Sequence, residues 1–190
     1  AEQTDSIPEM DTAGQYFKRD VHDVEMKNVG FSYEQKEILH NISLYVPDKT
    51  TTAVIGPSGS GKTTLCNLMA RFCDADKGSV KIGGKDVQDY TLESLMEQMS
   101  FVFQNVYLFA DTIENNIKFG KPDATRDEVI EAAKKACCHD FISMLPYGYD
   151  TIIGEGGATL SGGEKQRISI ARAMLKDAPI VILDEATANV

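Results

Sequence analysis

Gly56-Pro57-Ser58-Gly59-Ser60-Gly61-Lys62-Thr63 is the stretch on which the fold turns. It fits G-x-x-x-x-G-K-[ST] without exception, and each residue type has a physical reason. Glycines let the backbone curl until successive N–H groups point inward, as a cradle for phosphate oxygens. A helix predicted to begin near Gly61 brings the positive end of its dipole to the same spot. Lys62 can reach β- and γ-phosphates, and the Thr63 hydroxyl can ligate Mg²⁺. The plain alternative is a Gly/Ser turn that happens to end in Lys-Thr. The flanks argue against it. Residues 51–55 are rich in β-branched side chains and predict a strand that stops at Gly56. Residues 62–72 predict a helix with Leu65, Leu68, Met69 and Phe72 on one face. Strand, glycine loop and helix are the context the pattern requires.

Two further stretches lie downstream. Ile180-Val181-Ile182-Leu183 is a continuous apolar run of the kind found in buried parallel strands, and it delivers Asp184 and Glu185 at its C-terminal end. Ligands of open α/β sheets bind at that edge. Asp184 suits a Mg²⁺ held through water, and Glu185 suits polarising an attacking water. Two solvated acids at a strand end would be the ordinary reading, and the cradle upstream tips the balance. In Leu160-Ser161-Gly162-Gly163-Glu164-Lys165-Gln166-Arg167, Ser161 and Glu164 predict a capping box that opens a helix running to about Leu175. Gly162 and Gly163 leave its first amides uncovered, so the chain holds a second helix start able to meet an anion.

The rest of the chain bounds the answer. At 190 residues, 42% hydrophobic and 25% charged, it is long enough for one domain with a substantial core. No apolar run approaches the ~20 residues of a membrane span. Residues 1–20 are polar, are interrupted by Ser6, Pro8, Asp11 and Gly14, lack the core of a signal peptide, and read as a linker. The net charge of -10, with no Lys/Arg cluster, argues against a nucleic-acid partner. Cys66, Cys73, Cys137 and Cys138 form no C-x-x-C pair and read as free thiols of a reducing compartment. Strands are predicted at residues 24–33, 42–46, 79–82 and 100–103, with a Gly83-Gly84 turn and a short helix at 91–99. Residues 105–160 read as a helix-rich insert, with a capping box at Thr125 and Glu128.

The Leu160 to Arg167 stretch resembles the signature motif of ABC ATPases, usually written LSGGQ, with Glu164 in the last place. The order of cradle, signature and Asp-Glu strand is similar to that family over about residues 20–190. The resemblance implies an α/β fold: a P-loop core with a parallel sheet, an antiparallel β subdomain and a helical insert. It implies ATP and Mg²⁺ as ligands. It extends the nucleotide contacts to Gly56, Pro57, Ser58, Gly59, Ser60, Gly61, Lys62, Thr63 and Thr64. Tyr33 resembles the aromatic that stacks on adenine. Gln104 resembles the glutamine that touches Mg²⁺ or the water and lies near the membrane partner. In the family two such domains face each other head to tail, so Ser161, Gly162, Gly163 and Glu164 would meet the ATP held by a partner. Gly154-Glu155-Gly156-Gly157 resembles the exporter loop usually written GERG, with glycine at 156 in place of arginine.

Carried further, the resemblance implies an ATPase whose catalytic residues are Lys62, Gln104 and Glu185, on the cytoplasmic face of the cell membrane. Its expected partners are a second nucleotide-binding domain, the same or different, and a permease fused upstream of Ala1. The family pattern continues past Glu185 to a switch histidine, while this chain has only His22, His40 and His139. Weak hydrolysis by the chain alone is therefore expected. A soluble ABC-type ATPase acting on nucleic acid or ribosomes is the alternative. It calls for a coiled-coil insertion or basic arms, and neither is present.

Overall fold

The computed structural model describes residues 14–157 and 159–184. The chain divides into two compact units, Ala1–Met99 and Ser100–Val190. Among the described residues no helix is long and apolar enough to cross a membrane.

The first unit is built on an antiparallel sheet of β1 (Val24–Tyr33), β2 (Lys36–Val46), β3 (Lys77–Ile82) and β4 (Lys85–Asp86), in the order β2-β1-β3-β4. In β1, Val24 and Met26 face the core with Glu25 between them, as period-two alternation demands. The register then shifts between Met26 and Val29, where Asn28 sits at φ 51. This bulge returns Val29 and Phe31 to the buried face. Gly83 and Gly84, at φ 60 and 76, turn β3 into β4. Helix α1 (Lys62–Met69) buries Leu65 and Leu68. It ends three residues before the predicted boundary, because Arg71 takes a left-handed φ of 55, and Phe72 is left 40% exposed. Helix α2 (Leu92–Glu97) is capped by Thr91.

One expectation changes here. Residues 51–55 lie outside every strand, with Val54 48% and Ile55 93% exposed. β-Branched composition supplies propensity, but a strand also needs a ladder partner, and among the described residues none pairs with this run. From Gly14 onward the segment read as a linker lies against the first unit. Gln15 N donates to Asp89 O at 2.8 Å, and Thr91 N donates to Gln15 O at 3.2 Å. Phe17, 5% exposed, packs against Tyr90 at 4.8 Å and stacks on His22 at 5.4 Å. Tyr16 OH donates to Glu97. One buried aromatic turns a polar segment into a strap.

The second unit pairs β5 (Met99–Val102) with β6 (Ile180–Leu183) and packs α3 (Ile113–Lys118), α4 (Arg126–Lys135), α5 (His139–Ser143) and α6 (Gly162–Lys176) around one core. Leu108, Ile113, Ile117, Val129, Ala133, Ile142, Ile153 and Ile168 are fully buried there. The helix-rich reading of 105–160 thus resolves into three short helices and two 3₁₀ turns, at Gly148–Asp150 and Glu155–Gly157. The predicted capping box of Thr125 and Glu128 is formed. In β6, Val181 and Leu183 are 54% and 58% exposed rather than buried, since β5 is the one strand beside it among the described residues.

Replacing Phe17 by Ala is expected to cost about 3 kcal/mol, the low end for a buried Phe→Ala change. Urea unfolding followed by the signal of the first unit measures this, and a loss below about 1 kcal/mol would contradict the strap. A second expectation concerns acid. The Lys121 ion pair, with help from the Thr125 cap, holds the Glu128 carboxyl at about 2, against an ordinary 4.5. Its folded pKa is depressed, so its contribution is complete above pH 4.5 and is lost as pH falls through about 2. Carboxyl NMR of Glu128 and of a Lys121→Ala chain should show the titration move back toward 4.5 in the variant.

Candidate functional site

The cradle belongs to the first unit. Its turn is closed by Ser60 N donating to Pro57 O at 3.2 Å. Gly59 and Gly61 sit at φ 78 and 91, in the left-handed region that favours glycine. At Gly61 space also decides: a Cβ would lie 2.7 Å from Leu39 Cδ2 and 3.3 Å from Ile38 Cγ2. At Gly56 it would lie 2.7 Å from Ser60 Oγ. Ile38 and Leu39 of β2 therefore form the wall behind the start of α1. Sequence reasoning passed over them, although an apolar pair inside the polar run from Lys36 to His40 was a signal.

Helix α1 opens on Gly61 with no side-chain cap and no acidic residue in its first turn. Both omissions suit an anion, since a capping oxygen or carboxylate would compete for the same amides. Lys62 Nζ donates to Gly56 O and Pro57 O, each at 3.0 Å, so the ammonium lies across its own loop. Pro57, Ser58, Ser60 and Thr63 are exposed, whereas Thr64 is 7% exposed and packs inward. Tyr33 closes β1, 40% exposed, its ring edge-on to Phe31 at 4.8 Å and 88°. Its ladder partner Lys36 opens β2, the strand that carries the Ile38–Leu39 wall.

The second unit holds the other predicted residues. Asp184 follows β6, 9% exposed, and its N–H donates to Val102 O at 2.9 Å. Gln104 is exposed in the bend two residues past Val102. The structure thus brings Asp184 and Gln104 to one edge of the β5–β6 pair. Glu185 lies outside the described residues. Helix α6 opens on Ser161, and the predicted capping box with Glu164 is formed. Gly162 and Gly163 make its first turn, with Ser161 and Gly162 exposed. The loop before it is pinned by Gly156 N donating to Leu108 O at 3.0 Å. Gly156 itself is at φ 63, a conformation an arginine would adopt only under strain. None of the four cysteines is in a disulfide, and burial pushes the Cys138 thiol up to about 12.

A glycine cradle opening a helix, beside an antiparallel sheet in one unit and followed by a helical unit with a paired strand, defines a P-loop nucleotide-binding fold. Known proteins agree. The family model described as ABC transporter matches residues 39–188. A lipid A-core flippase of Desulfotalea psychrophila, named as ATP-dependent, is 54% identical over 164 residues, covering 86% of this chain and 29% of that protein. The putative multidrug export ATP-binding/permease protein YgaD of Bacillus subtilis is 52% identical, covering 86% and 29%. The structure of a bacterial Atm1-family ABC exporter with ATP bound is 43% identical with a TM-score of 0.91, covering 94% of this chain and 32% of that one. The chain belongs to the ABC transporter family. It spans about a third of the length of the relatives it matches.

Replacing Gly61 by Ala should cost at least about 1–2 kcal/mol, from the left-handed backbone alone, and the Leu39 contact adds to it. The same change at Gly162, which has open space around it and an ordinary helical φ, should be tolerated within about 0.5 kcal/mol. Parallel thermal melts of the two variants check the contrast.

Proposed function

We propose that this chain is a nucleotide-binding domain of an exporter. It binds Mg·ATP, pairs head to tail with a second such domain, and hydrolyses ATP to ADP and phosphate to power a membrane permease. The observation that carries the reading is the uncapped, glycine-opened start of α1 with Lys62 folded over it, its Nζ 3.0 Å from two loop carbonyls. A cation and a set of helix-start amides converging on one small loop suit the phosphates of a nucleotide.

On this reading Lys62 exchanges its carbonyl acceptors for β- and γ-phosphate oxygens, and Tyr33 stacks on the adenine. Thr63, Asp184 and Gln104 serve the metal. They offer a hydroxyl, a carboxylate and an amide, all hard oxygen donors of the sort Mg²⁺ prefers. When bound, Mg²⁺ neutralises charge developing on the β- and γ-phosphoryl oxygens. Glu185 orients the attacking water and takes its proton as the new P–O bond forms and the bond to the ADP oxygen breaks. Ser161 and Gly163 meet the γ-phosphate of the ATP held by the partner domain, in a closed two-fold pair. The flippase and multidrug-export names of the relatives support a role in export. On the same reading the domain works on the cytoplasmic face beside a permease.

Calorimetry with Mg·ATP on the chain and on Lys62→Ala tests the cradle. Loss of charge-assisted bonds predicts roughly 10–100-fold weaker binding in the variant. Equal affinity would sink the assignment. In a protein that carries both paired domains, Glu185→Gln should slow turnover by about 10²–10⁴ while leaving Mg·ATP affinity in place.

A further inference from the structure

We infer that Glu164 is a brake on the start of α6: its carboxylate holds the Ser161 hydroxyl as a donor and adds a negative charge where the partner's γ-phosphate docks. The inference rests on the proposed pairing of two domains.

The geometry is specific. Ser161 N donates to Glu164 Oε2 at 2.7 Å, and Ser161 Oγ lies 2.7 Å from the same oxygen. A carboxylate has no proton to give, so the hydroxyl is the donor in the second bond. The Ser161 hydroxyl and backbone amide hold the Glu164 carboxyl below the usual carboxylate range. Glu164 N in turn donates to Ser161 Oγ at 3.4 Å. With its proton committed inward and one lone pair occupied, Ser161 presents only a lone pair outward. A lone pair repels phosphate oxygens.

The fold does not require this charge. Glutamine satisfies a capping box as well as glutamate does. Its carbonyl oxygen, in the place of Oε2, would accept from Ser161 N and from the hydroxyl alike, but as a neutral acceptor it would hold the hydroxyl proton less firmly and add no charge. Arg167, the cation that draws down the Glu164 carboxyl after the cap itself, offsets part of the charge at this helix start. It does not restore the missing donor. A glutamate here therefore retains the helix cap and weakens the anion site that the cap borders.

The test uses chains carrying Lys62→Ala, so that the cradle does not take the probe, and inorganic phosphate followed by amide NMR at Gly162 and Gly163. Three versions are compared: Glu164, Glu164→Gln and Glu164→Ala. The Gln version should bind phosphate at least about tenfold more tightly than the Glu version, with an unchanged melting temperature. The Ala version should melt lower, having lost the Glu164 half of its capping box, yet still bind more tightly than the Glu version. A purely structural role for Glu164 would instead lower binding and stability together. Equal binding in all three, weaker binding in the Gln version, or no saturable shift in any would overturn the inference. Failure of the nucleotide reading shows separately, as Mg·ATP affinity indifferent to Lys62→Ala in the otherwise unaltered chain.

Discussion

The first four N–H groups of an α-helix have no partner within it, and the chain must answer for them at every helix start. Here hydroxyl side chains answer at four starts: Thr91, Thr112, Thr125 and Ser161 each accept from an amide one turn in. Helix α5 starts on Cys138, which is fully buried and turns its sulfur to Ala133 O. Helix α1 alone among the described helices opens on a left-handed glycine with no side-chain cap. A polar side chain could have capped it at a gain of about 1 kcal/mol. The wall of Ile38 and Leu39 leaves no room for a Cβ at Gly61, so the sheet of the first unit enforces the omission. Lys62 closes the arrangement by placing a cation over the loop.

The start of α6 is placed from a distance. Ser161 and Gly162 are exposed, the hydrogen bonds of Ser161 run to Glu164 of the same helix, and a Cβ at Gly162 would meet nothing within 4 Å. Three turns further along, Arg172 Nε donates to Asn116 O at 2.8 Å, and its guanidinium lies 5.4 Å from the Phe119 ring and 5.6 Å from that of Phe109. Burial lowers the Arg172 pKa, a cost offset by these carbonyl and ring contacts. Gly120 lets α3 approach so closely that a Cβ would sit 2.3 Å from Arg172 O. Nearer the start, Gly157 packs on Leu108 and Lys165. A helix of 15 residues behaves as a rod, so fixing its middle aims its exposed end.

Much of this was legible in the sequence, because caps and glycine loops are local chemistry. Both capping boxes, the Gly83-Gly84 turn and the helix opening at Lys62 follow from residues within one turn of each other. What was not legible depends on partners remote in sequence. Residues 51–55 carry strand propensity, yet they pair with nothing described. The apolar run of β6 reads as buried on both faces, yet its burial depends on how many strands flank it. Phe17 is a lone aromatic in a polar segment, with no periodicity to announce that Tyr90, far along the chain, would receive it. The first half of β2 hides in a charged stretch whose only apolar pair is Ile38 and Leu39. The family resemblance supplied roles for Tyr33 and Gln104 that no local pattern could.

The two anion-competent helix starts are the same device dressed in opposite ways. At α1 the amides are uncapped, a lysine lies over them and no acidic side chain stands in the first turn. At α6 the amides are partly taken by Ser161, whose hydroxyl is itself tied to an ionised Glu164. Both the dipole and the side chains favour phosphate at the first, whereas at the second the dipole favours it and the carboxylate opposes it. On the proposed reading this asymmetry sets an order of events. Nucleotide binds the α1 half-site of each domain on its own, because that site needs nothing from a partner. The α6 half-site attracts a free anion only weakly, so it engages chiefly when the surface of a second domain brings the phosphate to it. On that reading the strong half-site fills first, and the weak one adds its contacts only within the pair.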